Sequence, residues 1–243
     1  MGKNWKSGDT TGVNPQVLAE IRAQQVRDNP AKHVGSSLDV ETLSTTGAVR
    51  ETEPPRPPLF VEVINELAQG IHANARAHGW WEDSRSNRAT RALITSEHAE
   101  ALEAFRDGEP NVWFSLGGGR VAVRDAATAF DLACAEEKPL GVGIELVDGL
   151  IRALDWISGN GFRFSDAEIE IMKQPRDVPP DVVTFPEQID WLTQVLYSEG
   201  IWRGYVMAVL AVAKANDIDV WECIRIKHAY NVTRPYKHGG KKA

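Results

Sequence analysis

The sequence predicts an all-α fold with about four main helices. From Leu59 onward, apolar residues recur three and four positions apart, which places them along one face of a helix. Segments with glycine or proline separate these stretches, and no stretch alternates apolar and polar residues as a half-buried strand does. With 243 residues and 42% hydrophobic content, the chain is long enough to form a sizeable core.

Residues 1–58 differ in composition from the rest of the chain. They are rich in glycine, serine, threonine, asparagine and charged residues, and proline occupies four of the five positions 54–58. Such a run favours an extended connector, while apolar spacing predicts one short helix from Pro15 to Val26. We therefore predict a flexible N-terminal arm with a Pro-rich linker over 1–58 and a helical domain over 59–243. The arm is either poorly ordered or docks on a partner subunit.

The apolar spacing within the helical domain predicts four longer helices and two shorter ones. Gly200 and Gly204 weaken the middle of the fourth long helix, so a kink or a split is expected there. Asp219 is the predicted N-terminal cap of the last helix. Two insertions are expected, a glycine-rich flexible one near 107–137 and a proline-containing connector over 162–185. The predicted long helices are 59–77, 87–106, 140–158 and 187–213, and the short ones are 125–137 and 220–231.

Two pairs of acidic residues have the spacing of a metal site. Glu97 and Glu100 lie three residues apart in one predicted helix, and Glu145 and Asp148 do so in another, so each pair shares a helical face. A solvated helix surface is the alternative, but the apolar neighbours of Glu145 indicate partial burial, and buried carboxylates require a counter-ion. His98 points about 100° away from Glu97. Oxygen-only ligation favours Mg²⁺, or Mn²⁺, over iron or zinc.

The order and spacing of these motifs resemble a known superfamily. Trp81 and Asn87 precede Glu97-x-x-Glu100, Glu145-x-x-Asp148 follows, and the chain closes with Lys227-x-x-Tyr230-Asn231-x-x-Arg234-Pro-Tyr-Lys-His-Gly-Gly-Lys. This series is similar to the all-α nucleoside triphosphate pyrophosphohydrolases, which include MazG, dimeric dUTPases and dCTP pyrophosphatases. The closing motif is most similar to that of bacteriophage MazG-like proteins. The resemblance covers about 60–106 and 138–241.

The resemblance implies a MazG-like helical bundle and hydrolysis of a (deoxy)nucleoside triphosphate to monophosphate and pyrophosphate. It implies a homodimer or homotetramer, which also fits the large apolar surface of the predicted helix 187–213. Trp81 is either a stacking face for the base or a helix-end packing residue. The implied roles are catalysis for Glu97 and Glu100, with the general base left open between them; metal binding for Glu97, Glu100, Glu145 and Asp148; and substrate binding for Trp81, Asn87, Lys227, Tyr230, Asn231 and Arg234.

Two alternatives stay open. A non-catalytic helical protein of the same fold would bind nucleotide for regulation, and an enzyme of different cleavage would act as a phosphatase or a phosphodiesterase. The presence of all four carboxylates favours the pyrophosphohydrolase.

The charge, the cysteine content and the apolar runs of the chain restrict its expected partners and compartment. The net charge of −7 argues against extended nucleic-acid binding. Cys134 and Cys223 form no CxxC pattern, which fits a reducing cytoplasm, that of the host if a phage encodes the chain. No apolar run reaches the ~18–20 residues that span a bilayer, so no membrane association is expected.

Overall fold

The computed structural model describes residues 63–83, 86–123, 125–198 and 202–237. Within these ranges the fold is mostly helical, with eight helices, 66% helical content and a small three-stranded sheet. The mainly helical class is therefore confirmed, whereas the expectation of about four main helices without strands is wrong. The predicted arm 1–58, its helix from Pro15 to Val26, and the last six residues of the chain lie outside the described residues.

The elements alternate between long helices and short connecting structure. In chain order they are α1 (Ile64–Ala77), α2 (Asn87–Arg106), β1 (Trp113–Leu116), β2 (Gly119–Ala122), α3 (Ala126–Cys134), β3 (Pro139–Leu140), α4 (Val142–Gly159), α5 (Asp166–Met172), α6 (Phe185–Tyr197), α7 (Trp202–Ala215) and α8 (Val220–Thr233). None of these helices is both long and apolar enough to cross a bilayer.

Helix α4 is the centre of the core. It contacts α1, α2, α7 and α8, and thirteen of its eighteen residues are buried. Its apolar side, which includes Leu146, Leu150 and Leu154, is fully buried, as its periodicity predicts. Glu145 and Asp155 are buried too, so the polar side of this helix faces other elements of the protein. A buried polar face on a central helix is the first structural indication of a site.

A small sheet replaces part of the insertion predicted near 107–137. Its order is β2-β1-β3, all antiparallel, with Trp113 opposite both Ala122 and Leu140. Gly117 and Gly118 join β1 to β2, with φ angles of 57° and 78°. Positive φ at both residues makes the tight two-residue hairpin turn that favours glycine, so this glycine run is a turn and not a flexible insertion.

The second half of the chain contains one further correction and one confirmed prediction, the split expected near Gly200. The connector predicted over 162–185 includes α5, which begins with a capping box between Ser165 and Glu168. The helix predicted over 187–213 is two helices, α6 and α7, with α6 ending at Tyr197 and α7 starting at Trp202. The glycine-weakened segment noted in the sequence coincides with this break.

Candidate metal centre

Three carboxylates from α2 and α4 meet in one small volume. Glu97, Glu100 and Glu145 each offer an oxygen, and these oxygens all lie within 4.8 Å of one another. Glu97 is 3% exposed and Glu145 is 5% exposed, whereas Glu100 is exposed. The cluster therefore sits between two packed helices and opens to solvent on the Glu100 side. The structure brings together three of the four predicted metal ligands.

Gly149 leaves room beside α4 for the hydroxyl of Tyr205 on α7. A Cβ atom built on Gly149 would lie 3.0 Å from the hydroxyl oxygen of Tyr205, which is tighter than an ordinary van der Waals contact. It would lie 3.6 Å from Cγ2 of Ile94 and 3.7 Å from Cβ of Glu97, which are ordinary contact distances. The missing side chain at position 149 is therefore needed by the tyrosine of α7 and not by α2.

Two cations share the site with the carboxylates. Arg152 donates from Nε and Nη2 to Oε1 of Glu97, at 2.8 and 2.7 Å. Lys227, only 2% exposed, places Nζ 3.0 Å from Oδ2 of Asp148 and 3.7 Å from Oε2 of Glu145. The fourth predicted ligand, Asp148, is thus held by a lysine.

Burial perturbs the acidity of these groups. Burial raises the pKa of Glu97 to about 7, with the negative charge of Asp148 adding to the shift and Arg152 opposing it. Burial also raises the pKa of Glu145, against the charge of Lys227. Burial acts on Asp148 in the same direction, but the positive charges of Lys227 and Arg152 outweigh it and lower the pKa. A divalent cation among these oxygens would favour the ionised form of each.

His98 does not face the carboxylates, as its position in α2 predicts. Its Nε2 lies 2.8 Å from the hydroxyl of Tyr205, and its Nδ1 lies 3.0 Å from Oγ1 of Thr193. Because the Thr193 hydroxyl donates to the carbonyl of Ile189, it accepts from Nδ1–H, and Tyr205 donates to Nε2. Burial lowers the pKa of His98 to about 4. This neutral histidine fixes α2 against α6 and α7.

Trp81 lies in a second polar cluster, which sequence reasoning missed. Its indole N–H donates to both carboxylate oxygens of Asp155, at 2.9 and 3.1 Å, and His72 Nδ1 lies 2.8 Å from Oδ1 of the same residue. The rings of Trp81 and His72 meet edge to face, 4.7 Å apart. The tryptophan ring also packs against Gly159. The only sequence signal was the place of Asp155 on the same face of α4 as Glu145.

Three predicted substrate-binding residues of α8 share one helical stripe. Lys227 reaches the carboxylates, and Tyr230 and Asn231 lie three and four residues after it. Arg234, seven residues after Lys227, is the extended C-terminal cap of α8. Its guanidinium lies 5.6 Å from the centre of the Tyr230 ring, and its charge contributes to the lowered pKa of Asp148. Among the described residues, none bonds the buried Oδ1 of Asn231. The stripe therefore runs from the metal centre toward the end of the helix.

The start of the basic tail lies against the loop that carries Trp81. The carbonyl of Arg234 accepts from Nε2 of His78 at 2.8 Å, and the Lys237 amide donates to the carbonyl of His78 at 3.0 Å. Nζ of Lys237 lies 3.0 Å from Oε2 of Glu82. Asn87, the other residue predicted to contact the base, is the first residue of α2, and its Oδ1 is also buried without a partner.

Comparison of the chain with models of known protein families, with curated proteins and with solved structures finds no match in any of the three.

Proposed function

We propose that this chain is a Mg²⁺-dependent nucleoside triphosphate pyrophosphohydrolase, which cleaves between the α and β phosphates. The observation that carries the proposal is the meeting of Glu97, Glu100 and Glu145 within 4.8 Å, beside the buried Lys227. Carboxylates this close repel one another unless cations lie among them, and phosphate oxygens are bound through cations in the same way.

The donor set fits magnesium. All three clustered groups are carboxylates, and hard oxygen ligands are the ones that Mg²⁺ and Mn²⁺ prefer. With Asp148 the site holds four carboxylates against the two cations Arg152 and Lys227. If all are ionised, the net charge is −4 + 2 = −2, which one divalent cation balances. The exposed Glu100 is on the side from which a phosphate chain would enter.

The proposed reaction is attack of water on the α-phosphorus. The bond from this phosphorus to the oxygen that bridges to the β-phosphate breaks, and the products are a monophosphate and pyrophosphate. A bound Mg²⁺ would supply charge neutralisation at the phosphoryl oxygens. Glu97 or Glu100 would accept the proton of the water. Arg152 bonds only Oε1 of Glu97, so it leaves Oε2 for another partner.

The other predicted residues would hold the substrate. Lys227 already lies in the cluster, and Arg234, at the C-terminal cap of α8, suits bidentate contact with phosphate. Tyr230 and Asn231 lie between them, where the buried Oδ1 of Asn231 lacks a partner. Trp81 and Asn87 are the residues that the sequence predicts for the base.

The proposal includes an assembly and a compartment. We expect a homodimer or a homotetramer in solution, which size-exclusion chromatography with light scattering measures, and a strict monomer would contradict that part. Cys134 and Cys223 form no disulfide, which fits a reducing compartment such as the cytoplasm.

Two substitutions at the carboxylates test the proposal. Glu97→Gln and Glu145→Gln should lower Mg²⁺-dependent pyrophosphate release by about 100-fold or more, because each removes a ligand or a proton acceptor. Glu103→Gln is the matched control, since Glu103 is exposed on the same helix, and it should keep nearly full activity. Circular dichroism should show an unchanged helical fold in all three variants. Wild-type turnover in either Glu97→Gln or Glu145→Gln would refute the site.

A further inference from the structure

An open cavity of about 190 Å³ lies between the start of α2 and the end of α4. Asn87 begins α2, ten residues before Glu97, and Trp156 lies eight residues after Asp148, so the cavity is about 12–15 Å along these helices from the carboxylates. At about 100° per residue, Trp156 lies on the same stripe of α4 as Glu145. The cavity and the metal centre thus share one face of α4. The residues that line the cavity are Asn87, Trp156, Ile157, Phe162, Trp202 and Arg203.

Three aromatic rings in this cavity are nearly parallel. Trp156 stacks on Trp202 with ring centres 4.2 Å apart and planes 16° apart, and on Phe162 at 6.0 Å and 23°. Phe162 is 50% exposed, so the row of rings ends at solvent. The neighbouring rings cover Trp156, so a flat ligand ring would stack at the end of the row, on the exposed Phe162.

Two polar atoms of the cavity residues lack partners. The indole nitrogen Nε1 of Trp202 and the amide oxygen Oδ1 of Asn87 are both buried and make no hydrogen bond in the described structure. Leaving a buried donor or acceptor unpaired is unfavourable, and most such groups in proteins are satisfied. A ligand that fits both atoms therefore offers an acceptor to the indole N–H and a donor to the amide oxygen, at the edge of a flat ring.

We propose that this cavity binds the nucleobase of the substrate. Every nucleobase is a flat ring whose edge carries both hydrogen-bond donors and acceptors, and the distance from the metal centre leaves room for phosphates and sugar. Stacking on Phe162 is expected to tolerate any base, and the contacts of Trp202 and Asn87 to discriminate among bases. Trp81 then packs the loop, because its N–H already bonds Asp155 and its ring packs against His72 and Gly159. This inference rests on the proposed function.

The test measures binding without turnover. Isothermal titration with Mg²⁺ present would compare an α,β-methylene deoxynucleoside triphosphate, whose α–β linkage resists hydrolysis, with inorganic tripolyphosphate, which has no base. Phe162→Ala should weaken binding of the analogue by roughly 5- to 150-fold through lost stacking. Trp202→Phe and Asn87→Ala each remove one hydrogen bond and should weaken it by about 2- to 10-fold. Tripolyphosphate affinity should stay within about twofold of wild type in all three, because its contacts lie elsewhere.

The controls separate this inference from loss of fold and from the proposed function. Trp191→Phe, on α6 and outside the cavity, should bind both ligands as wild type does, and each variant should retain its helical circular dichroism. Any of three results would overturn the base pocket. All three cavity variants could bind the analogue with wild-type affinity, or they could lose as much affinity for tripolyphosphate as for the analogue. The wild-type protein could also fail to bind the analogue. Failure of the proposed function would be distinguishable from this. In that case the wild-type protein would still bind the analogue through the cavity but would release no pyrophosphate from natural triphosphates.

Discussion

Replacing Gly149 by alanine tests whether the packing of Tyr205 of α7 against α4 depends on a missing side chain. The new Cβ would lie 3.0 Å from the hydroxyl oxygen of Tyr205, with Ile94 and Glu97 behind it at 3.6 and 3.7 Å. Tyr205 is fully buried and its hydroxyl is bonded to His98, so it cannot turn away without losing that bond. Tyr205, and α7 with it, must therefore shift away from α4 by a few tenths of an ångström.

Two opposing terms set the magnitude. Alanine in place of glycine inside a helix stabilises it by about 0.8–1.0 kcal/mol. Overpacking a tight core site costs about 1–3 kcal/mol. Gly149→Ala should therefore lie between roughly neutral and about 2 kcal/mol less stable than wild type. Gly70 is the matched control, because it lies inside α1 and a Cβ there would meet nothing within 4 Å. Gly70→Ala should gain the full propensity term of about 0.8–1.0 kcal/mol.

Urea unfolding followed by circular dichroism measures both variants. We expect the midpoint to rise for Gly70→Ala and not for Gly149→Ala, with a difference in unfolding free energy of about 1–3 kcal/mol. Equal stabilisation by the two substitutions would contradict this expectation, since it would mean that Tyr205 leaves room for a side chain at position 149.

Two further predictions concern buried groups. Lys227→Met leaves Asp148 without its cation and should lower the free energy of unfolding by about 3–5 kcal/mol. Added Mg²⁺ should restore part of this stability, which thermal unfolding with and without the ion measures. Lys214→Met, which breaks an exposed ion pair, should cost less than about 1 kcal/mol, and an equal cost would contradict the burial argument. Burial raises the pKa of Cys223 to about 12, so its thiol stays protonated at pH 8. A disulfide reagent should modify the exposed Cys134 in the native protein and Cys223 only after unfolding; rapid reaction of both would contradict this.

Local patterns predicted the helices that position the site. The structure gives α2 the predicted bounds, Asn87–Arg106, and Asp219 caps α8 by accepting from the amide of Glu222. Both depend on residues a few positions apart, which periodicity and capping rules describe well. The meeting of Glu97 and Glu100 with Glu145 was also predictable from the sequence, because Glu97–Glu100 and Glu145–Asp148 each occupy one face of an amphipathic helix.

Features that depend on contacts distant in sequence were not predicted. The four-residue strands are too short to show alternation, and only the conformation of Gly117 and Gly118 makes them a hairpin. The burial of Lys227 and the bonds of Trp81 to Asp155 depend on which helices pack on α4. Nothing in the local sequence specifies such neighbours. Capping boxes such as Ser165-x-x-Glu168 were the one missed signal that the sequence did contain.

The central claim is hydrolysis between the α and β phosphates at the carboxylate cluster. Phosphorus NMR of the wild-type protein with Mg²⁺ and each of the four natural deoxynucleoside triphosphates tests it directly. We expect monophosphate and pyrophosphate in equal amounts for at least one substrate, with turnover abolished by chelation of the metal. Release of orthophosphate, or no turnover of any of the four, would contradict it.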